Sequence, residues 1–331
     1  MNNVNLLDVS NLKVHFPIYL NGLFRKVKGY VKAVDGVSFS LDRGQTLGLV
    51  GESGSGKTTI GRAVLRALEP TEGKISFTAD GTHVDLATLQ GKALKQFRPN
   101  MQLIFQDPYA SLNPRMTVRD IISEPLECLN SFSRKEIDER VREIAGMCRL
   151  NLEHLRRFPH AFSGGQRQRI CIARALVSRP KFVVCDESVS ALDVSIQAEI
   201  INLLMDLQQE LHLTYLFIAH DLSVVAHIST KVAVMYVGQF AELAPTERLF
   251  FKPLHPYTRA LLSAVPTINL ETAFEPVKLE GDIPNPANPP QGCRFHTRCP
   301  YVSSICKEEI PQWQEWEAEH FVACHRVDEL N

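Results

Sequence analysis

Nine consecutive residues constrain this chain more than any other stretch: Gly51-Glu52-Ser53-Gly54-Ser55-Gly56-Lys57-Thr58-Thr59, which follow the apolar run Thr46 to Val50 and precede a helical pattern through Leu68. The spacing is that of the phosphate-binding loop, G-x-x-x-x-G-K-[ST], in the strand-turn-helix setting the motif requires. Glycines let successive backbone N–H groups curl round a polyphosphate without side-chain obstruction, and the following helix adds its positive end. In such a loop Lys57 reaches the β and γ phosphates and the Thr58 hydroxyl meets Mg²⁺. The plain alternative, a Gly/Ser turn before a helix, does not call for this spacing.

Composition narrows the field further. At 331 residues the chain forms one large domain or two smaller ones. Apolar residues make up 44% and charged residues 22%, as in soluble globular proteins. Lys plus Arg number 36 against 37 acidic residues, so no basic excess points to nucleic acid as a partner. Nothing approaches a membrane-spanning apolar run, and the opening MNNVNLLDVSNLKVHF lacks the charged-then-apolar layout of an export signal. The expectation is a cytosolic chain whose membrane role, if any, comes through another subunit.

Residues 1 to 16 alternate as a strand would, with Leu12, Val14 and Phe16 on one side. The segment FPIYLNGLFRKVKGY reads as an aromatic, basic loop, and an aromatic just ahead of a nucleotide site is placed to stack on adenine. Tyr30 is the candidate, with Phe24 and Tyr19 as alternatives. Val31 to Leu41 alternates again, and Asp42-Arg43-Gly44 turns into the strand before the loop. The pattern is a strand-rich N-terminal layer feeding an α/β core.

Farther on, Met101 to Phe105 reads as a buried strand that delivers Gln106 at its end, where ligands bind in α/β folds. That glutamine is a candidate to hold Mg²⁺ or the attacking water. Residues 117 to 160 are mostly helical in pattern. Phe162-Ser163-Gly164-Gly165-Gln166 then opens a second helix, with Ser163 as N-cap and two glycines expected to bare the backbone for an anion. Ile170, Ala173 and Leu176/Val177 form its apolar stripe, and Arg179-Pro180 closes it. The strand KFVVCDE ends in Asp186, suited to Mg²⁺, and Glu187, able to orient and deprotonate a water. Ser190-Ala191-Leu192-Asp193 precedes an amphipathic helix marked by Ile196, Ile200, Leu204, Leu207 and Leu211, and Thr214 to Ala219 is a further buried strand ending at His220. A histidine there is a candidate γ-phosphate contact.

The order GESGSGKT, Gln106, FSGGQ, FVVCDE, SALD and His220 resembles the nucleotide-binding subunit of ATP-binding-cassette (ABC) transporters over roughly residues 5 to 250. The resemblance implies a P-loop NTPase (RecA-like) α/β core with an N-terminal antiparallel β layer, a helical subdomain inserted at about 107–180, and a small cysteine-rich extension over 251–331. It implies ATP and Mg²⁺ as ligands of Ser53 through Thr59, Gln106 as the lid glutamine facing membrane subunits, and Ser163 to Gln166 as the signature. Asp186 and Glu187 become the Walker B pair, Asp193 the D-loop acid and His220 the switch histidine. In that family the signature of one subunit closes over the phosphate loop of another, so a chain with one copy of each motif works as half of a pair, with an identical or a sister ATPase. Two departures stand out: Phe162 replaces the usual leucine, a tolerable apolar swap, and Ser188 replaces the usual proline, so that turn is expected to be looser. A soluble, non-transport cassette ATPase is the alternative from another class, against which stand the single cassette and the near-neutral charge. A metal-binding regulator with a vestigial ATPase is the third.

The tail sharpens the resemblance. KPLHPYTRALL and the Pro-rich GDIPNPANPPQGCRFHTRCP resemble the segments that follow the cassette in dipeptide and oligopeptide importers, here closer to the F-type ATPase of the pair. That subfamily implies a D-type sister subunit, two permeases, a periplasmic solute-binding protein and a place on the cytoplasmic face of the inner membrane, and its nickel importers share the tail. Four of eight cysteines, Cys293, Cys299, Cys306 and Cys324, crowd the last 39 residues. Their density suggests a four-thiolate metal site in a reducing cytosol, although the gaps lack the short paired knuckles of structural zinc. Cys299-Pro300 is similar to the end of ferredoxin ligand runs, and the resemblance implies a four-iron four-sulfur cluster, with zinc second and free thiols third. Cys128, Cys148, Cys171 and Cys185 sit among apolar neighbours and read as small core residues.

Overall fold

The computed structural model describes residues 5–20, 26–79, 81–190, 192–264 and 277–330. Phe24 and Ala191, both named above, lie outside the described residues. The chain gathers into two compact units, one of Met1–Leu6, Leu41–Thr46 and Phe77–Ala219, the other of Leu7–Ser40, Leu47–Ser76 and His220–Asn331.

In the first unit three strands pair in parallel: Met101–Ile104 with Phe182–Asp186, and the latter with Thr214–Ile218, in the register Met101, Phe182, Thr214. The second and third of these are buried along their whole length, as continuous apolar runs in parallel sheets demand. Around them stand helices Val118–Glu127, Arg134–Met147, Gly164–Leu176 and Val194–Leu211. Thr117, Ser133, Ser163 and Asp193 cap their N-termini, each side-chain oxygen accepting an otherwise unpaired amide of the first turn. Just past the ends of three of these helices stand Arg149, Arg179 and His212 in the left-handed region, at φ of 58°, 54° and 54°, positions glycine most often takes.

The expected stripe on Gly164–Leu176 is present, with Ile170, Ala173, Leu176 and Val177 buried. On Val194–Leu211 the core face is Ile200, Ile201, Leu203, Leu204 and Leu207, whereas Ile196 and Leu211 are only half-buried at its ends. Cys148, Cys171 and Cys185 are core residues, but Cys128 is exposed at the C-cap of Val118–Glu127. Its apolar neighbours in sequence face inward around the helix while it does not, so adjacency misled there.

In the second unit the strand leading to the phosphate loop, Thr46–Val50, runs parallel to Lys231–Tyr236, which pairs antiparallel with Gln239–Pro245. The C-terminal extension adds His320–Val322 antiparallel to Gln239–Pro245, and Gln314–Glu317 beyond it. Glu242 ties this addition down: fully buried, it accepts the backbone N–H of Leu254 at 2.8 Å and of His255 at 2.9 Å, and pairs with His320 Nε2 at 2.7 Å.

The stretch expected to be a loop after Phe16 is largely strand. Leu7–Tyr19 and Val27–Leu41 are hydrogen-bonded neighbours, and Leu20 N–H still reaches Lys26 O at 2.9 Å. Leu12 and Val14 are buried as expected, but Phe16 is exposed, as are Tyr19 and Tyr30. The hairpin end carries no buried face, so the alternation that marks a strand fades there.

Candidate functional site

The two motif glycines of the phosphate loop are dictated by their surroundings. Gly51 sits at φ +147°, and a Cβ on it would fall 2.1 Å from the Met235 carbonyl oxygen. Gly56, at φ +110°, would press a Cβ to 2.1 Å from the Ala33 oxygen. Gly56 is the N-cap of helix Lys57–Val64, a helix no side chain caps. Lys57 is buried and folds back over its own loop, Nζ donating to the oxygens of Gly51 at 2.7 Å and Glu52 at 3.0 Å. Ser55 is buried with an Oγ that meets no hydrogen-bond partner, while Ser53 and Gly54 are exposed and Thr58 and Thr59 half-buried on the first helical turn. A buried hydroxyl without a partner calls for a ligand or water. In the same unit His220 is exposed one residue before Asp221, which caps Leu222–Ile228. Tyr30 stands 49% exposed on Val27–Leu41.

The first unit brings Gln106 and Glu187 together, the Gln106 amide donating to Glu187 Oε2 at 2.6 Å. Asp186 ends its strand buried, and Glu187 one residue on has φ +47°, a left-handed backbone for a non-glycine. Such a conformation costs on the order of 1–3 kcal/mol and is found where function requires it. At the turn where Ser188 stands in the place of proline, Glu187 N–H donates to Ile218 O at 3.0 Å, and Ser190 returns its N–H and Oγ to Glu187 O at 3.1 and 2.9 Å.

Ser163 and Gln166 form a reciprocal capping box, Gln166 N–H to Ser163 Oγ at 3.4 Å and Ser163 N–H to Gln166 Oε1 at 3.1 Å. The two glycines differ, contrary to expectation: Gly164 is half-buried, but Gly165 is buried, with space for a Cβ closed by Ile196 Cγ2 at 2.6 Å. Gly165 therefore serves the approach of Val194–Leu211, whose N-cap is Asp193. Phe162 packs edge-on against His154, and its oxygen accepts from Arg167 Nε at 3.0 Å.

One face of the signature helix was not anticipated. Arg167 lies over the Tyr109 ring at 4.2 Å, Cys171 Sγ is 3.3 Å from Ser111 Oγ, and Arg174 donates to Ser111 O at 2.6 Å. At spacings of four and three residues these three side chains hold the segment that follows Gln106. The repeated arginines of QRQRICIAR were the available signal. A groove of about 440 Å³ lies on this unit too, bordered by Leu94, Lys95, Arg98, Pro99, Pro125 and Leu129.

The four tail cysteines line one cavity. Burial pushes the thiol of Cys293 up to about 12 and that of Cys324 to about 11, and raises Cys299, with neighbouring thiols adding to each shift. Among the described residues no three His, Cys, Asp or Glu side chains converge on a single metal ion. No helix among them is long and apolar enough to cross a membrane.

A glycine loop between a parallel strand and a helix without a side-chain cap, and in the other unit a buried strand ending in two successive carboxylates, are the marks of a P-loop ATPase. Residues 34–190 match the ABC transporter family, and residues 241–306 match the oligopeptide/dipeptide transporter C-terminal region. The sequence is 53% identical over 327 residues, 98% of each chain, to the oligopeptide transport ATP-binding protein AppF of Bacillus subtilis (strain 168). It is 45% identical over 325 residues, again 98% of each, to the di/tripeptide transport ATP-binding protein DppF of Pseudomonas aeruginosa (strain UCBPP-PA14). Among solved structures it resembles cbiO1 from Clostridium perfringens, part of the ABC transporter complex cbiONQ, with a TM-score of 0.63 at 26% identity over 75% of this chain and 91% of that one. It also resembles dimeric MJ0796, a bacterial ABC transporter cassette, with a TM-score of 0.61 at 25% identity over 72% and 98%. The chain belongs to the ABC transporter ATPases, in the branch of oligopeptide and dipeptide transport ATP-binding proteins.

Proposed function

We propose that this chain hydrolyses ATP to power import of di- or oligopeptides, working on the cytoplasmic face of the cell membrane with a D-type sister ATPase and two permeases supplied by a periplasmic binding protein. The observation that carries this reading is similarity to peptide-transport ATP-binding proteins along 98% of the chain, joined to a phosphate loop whose helix start no side chain caps. The cassette spans 1–250, its helical subdomain about 107–180, and the extension 251–331.

Lys57, Thr58 and the amides of Ser53 through Thr59 would take the triphosphate and Thr58 would meet Mg²⁺, while Gln106 and Asp186 carry the Mg²⁺ roles that the family resemblance implies. Glu187 is the general base, and before nucleotide arrives Gln106 occupies its carboxylate. Tyr30 stacks on adenine. Ser163, Gly164, Gln166 and Asp193 serve the nucleotide of a partner cassette, with Gly165 letting helix Val194–Leu211 approach behind them, and His220 senses the γ-phosphate. Coupling to the permeases runs through a groove near Gln106. Co-expression with two permeases tests the whole: expected is a stable complex with ATP-dependent peptide uptake into vesicles, and an ATPase that binds neither permease nor drives uptake supports the soluble reading.

Cys293, Cys299, Cys306 and Cys324 would hold a four-iron four-sulfur cluster. The four thiols border one cavity, which supports a single site shared among them. Holding the cluster, these four thiols would tie separate stretches of the extension together. An anaerobic preparation is expected to be brown and to carry iron, and stoichiometric zinc instead overturns this assignment.

A further inference from the structure

The phosphate loop is gripped from the far end of the sequence. Within the second unit, Arg298 lays its guanidinium along the Glu52 carboxylate, Nη1 to Oε2 at 2.7 Å and Nη2 to Oε1 at 3.0 Å. Tyr257 Oη accepts the Glu52 backbone N–H at 3.0 Å. The Glu52 oxygen in turn accepts Ser55 N–H at 3.2 Å and Lys57 Nζ at 3.0 Å. Side chain, amide and carbonyl of one loop residue are therefore all fixed, two of the three by residues more than 200 positions away. Neither outside partner is a surface group: the Arg298 side chain is 8% exposed and Tyr257 is fully buried, packed on Tyr236 and Phe295.

A second grip acts one step removed. Arg294 donates to the Val237 oxygen and to the Asp35 carboxylate. Its effect on Asp35 is visible: burial by itself would raise that carboxyl, but Arg294, His15 and Lys32 together hold it below the usual range. The turn that Arg294 pins reaches the loop directly, for Gly238 N–H donates to Ser55 O at 2.8 Å and Gly238 O accepts Asp35 N–H at 2.8 Å.

We propose that Arg298 and Tyr257 are positioning residues for ATP, so that the C-terminal extension is a working part of the nucleotide site. The proposal rests on the reading that Gly51–Thr59 holds the triphosphate. Two physical effects follow from the geometry. The pair fixes the peptide whose oxygen anchors Lys57, so the ammonium and the loop amides are preorganised before phosphate arrives. The bidentate guanidinium also neutralises a carboxylate that belongs to the loop itself, where an unpaired negative charge would repel a polyanion.

The charge effect separates positioning from mere support. Arg298→Ala in the full-length chain is expected to weaken MgATP affinity about tenfold, the scale of a charge-assisted hydrogen bond, with a raised KM and a smaller change in kcat. Adding Glu52→Gln to Arg298→Ala removes the stranded carboxylate and is expected to recover much of that affinity, although it restores no contact. Equal loss in the double variant overturns the charge effect, and wild-type affinity in a folded Arg298→Ala overturns the proposal. If Arg298→Ala does not fold, Arg298→Lys keeps the charge and loses the fork, and affinity between wild type and the Lys57→Ala reference is expected; wild-type affinity overturns the preorganising role. Lys57→Ala separates the two readings: if it too leaves affinity unchanged, the phosphate-loop assignment itself falls.

Discussion

Two helices in this protein begin at glycine-rich turns, and they begin differently. Helix Lys57–Val64 starts from a left-handed Gly56 with no side-chain cap. Helix Gly164–Leu176 starts from Ser163, and its first turn is closed by the Ser163–Gln166 box. Both starts carry the positive end of a helix dipole. The first has no side-chain cap, and its loop is held by neighbours outside the helix. The second meets its own needs, through bonds of 3.1 and 3.4 Å that an anion can displace.

The sharpest test leaves both helix starts intact and removes the chemistry. Glu187→Gln is expected to lower kcat by ~10² to 10⁴, the worth of a positioned general base, while ATP binding persists; steady-state hydrolysis and equilibrium nucleotide binding measured together check it. Next comes the open start. Lys57→Ala is expected to weaken MgATP by ~10 to 10²-fold, the value of charge-assisted hydrogen bonds to phosphate, read by calorimetry. The closed start is expected to answer more weakly. Ser163→Ala removes a cap worth about 1 kcal/mol, visible as a small drop in melting temperature, with little change in the first nucleotide's affinity. A loss of ATP affinity in Ser163→Ala matching that of Lys57→Ala would erase the distinction between the two starts.

How much of this was legible beforehand depended on how far apart the partners lie in the chain. The strand-loop-helix setting of Gly51–Thr59, the Ser163 cap, the buried strands ending at Asp186 and before His220, and the stripe Ile170–Ala173–Leu176 are written in adjacent residues or in a single period, and they read correctly. The hairpin end around Tyr19 and Tyr30 did not, because a strand with no buried face carries no alternation. Gly165 looked like a companion to Gly164 until Ile196 was found against it. Glu187's left-handed backbone has no sequence mark at all, since the residue most often placed at such an angle is glycine.

By itself the sequence named the candidates to cradle phosphate, hold a metal or take a proton, and placed Gln106, Asp186 and His220 at or just past the ends of strands. Local hydrogen bonding and hydrophobic period suffice for that, because both act over a few residues. Only the tertiary structure decided that Arg298 meets Glu52 across 246 positions, that Tyr257 holds the same residue by its amide, and that four scattered thiols border one cavity. Such contacts are products of the packed core, whose burial fixes where distant side chains come to rest, and no short-range pattern encodes them.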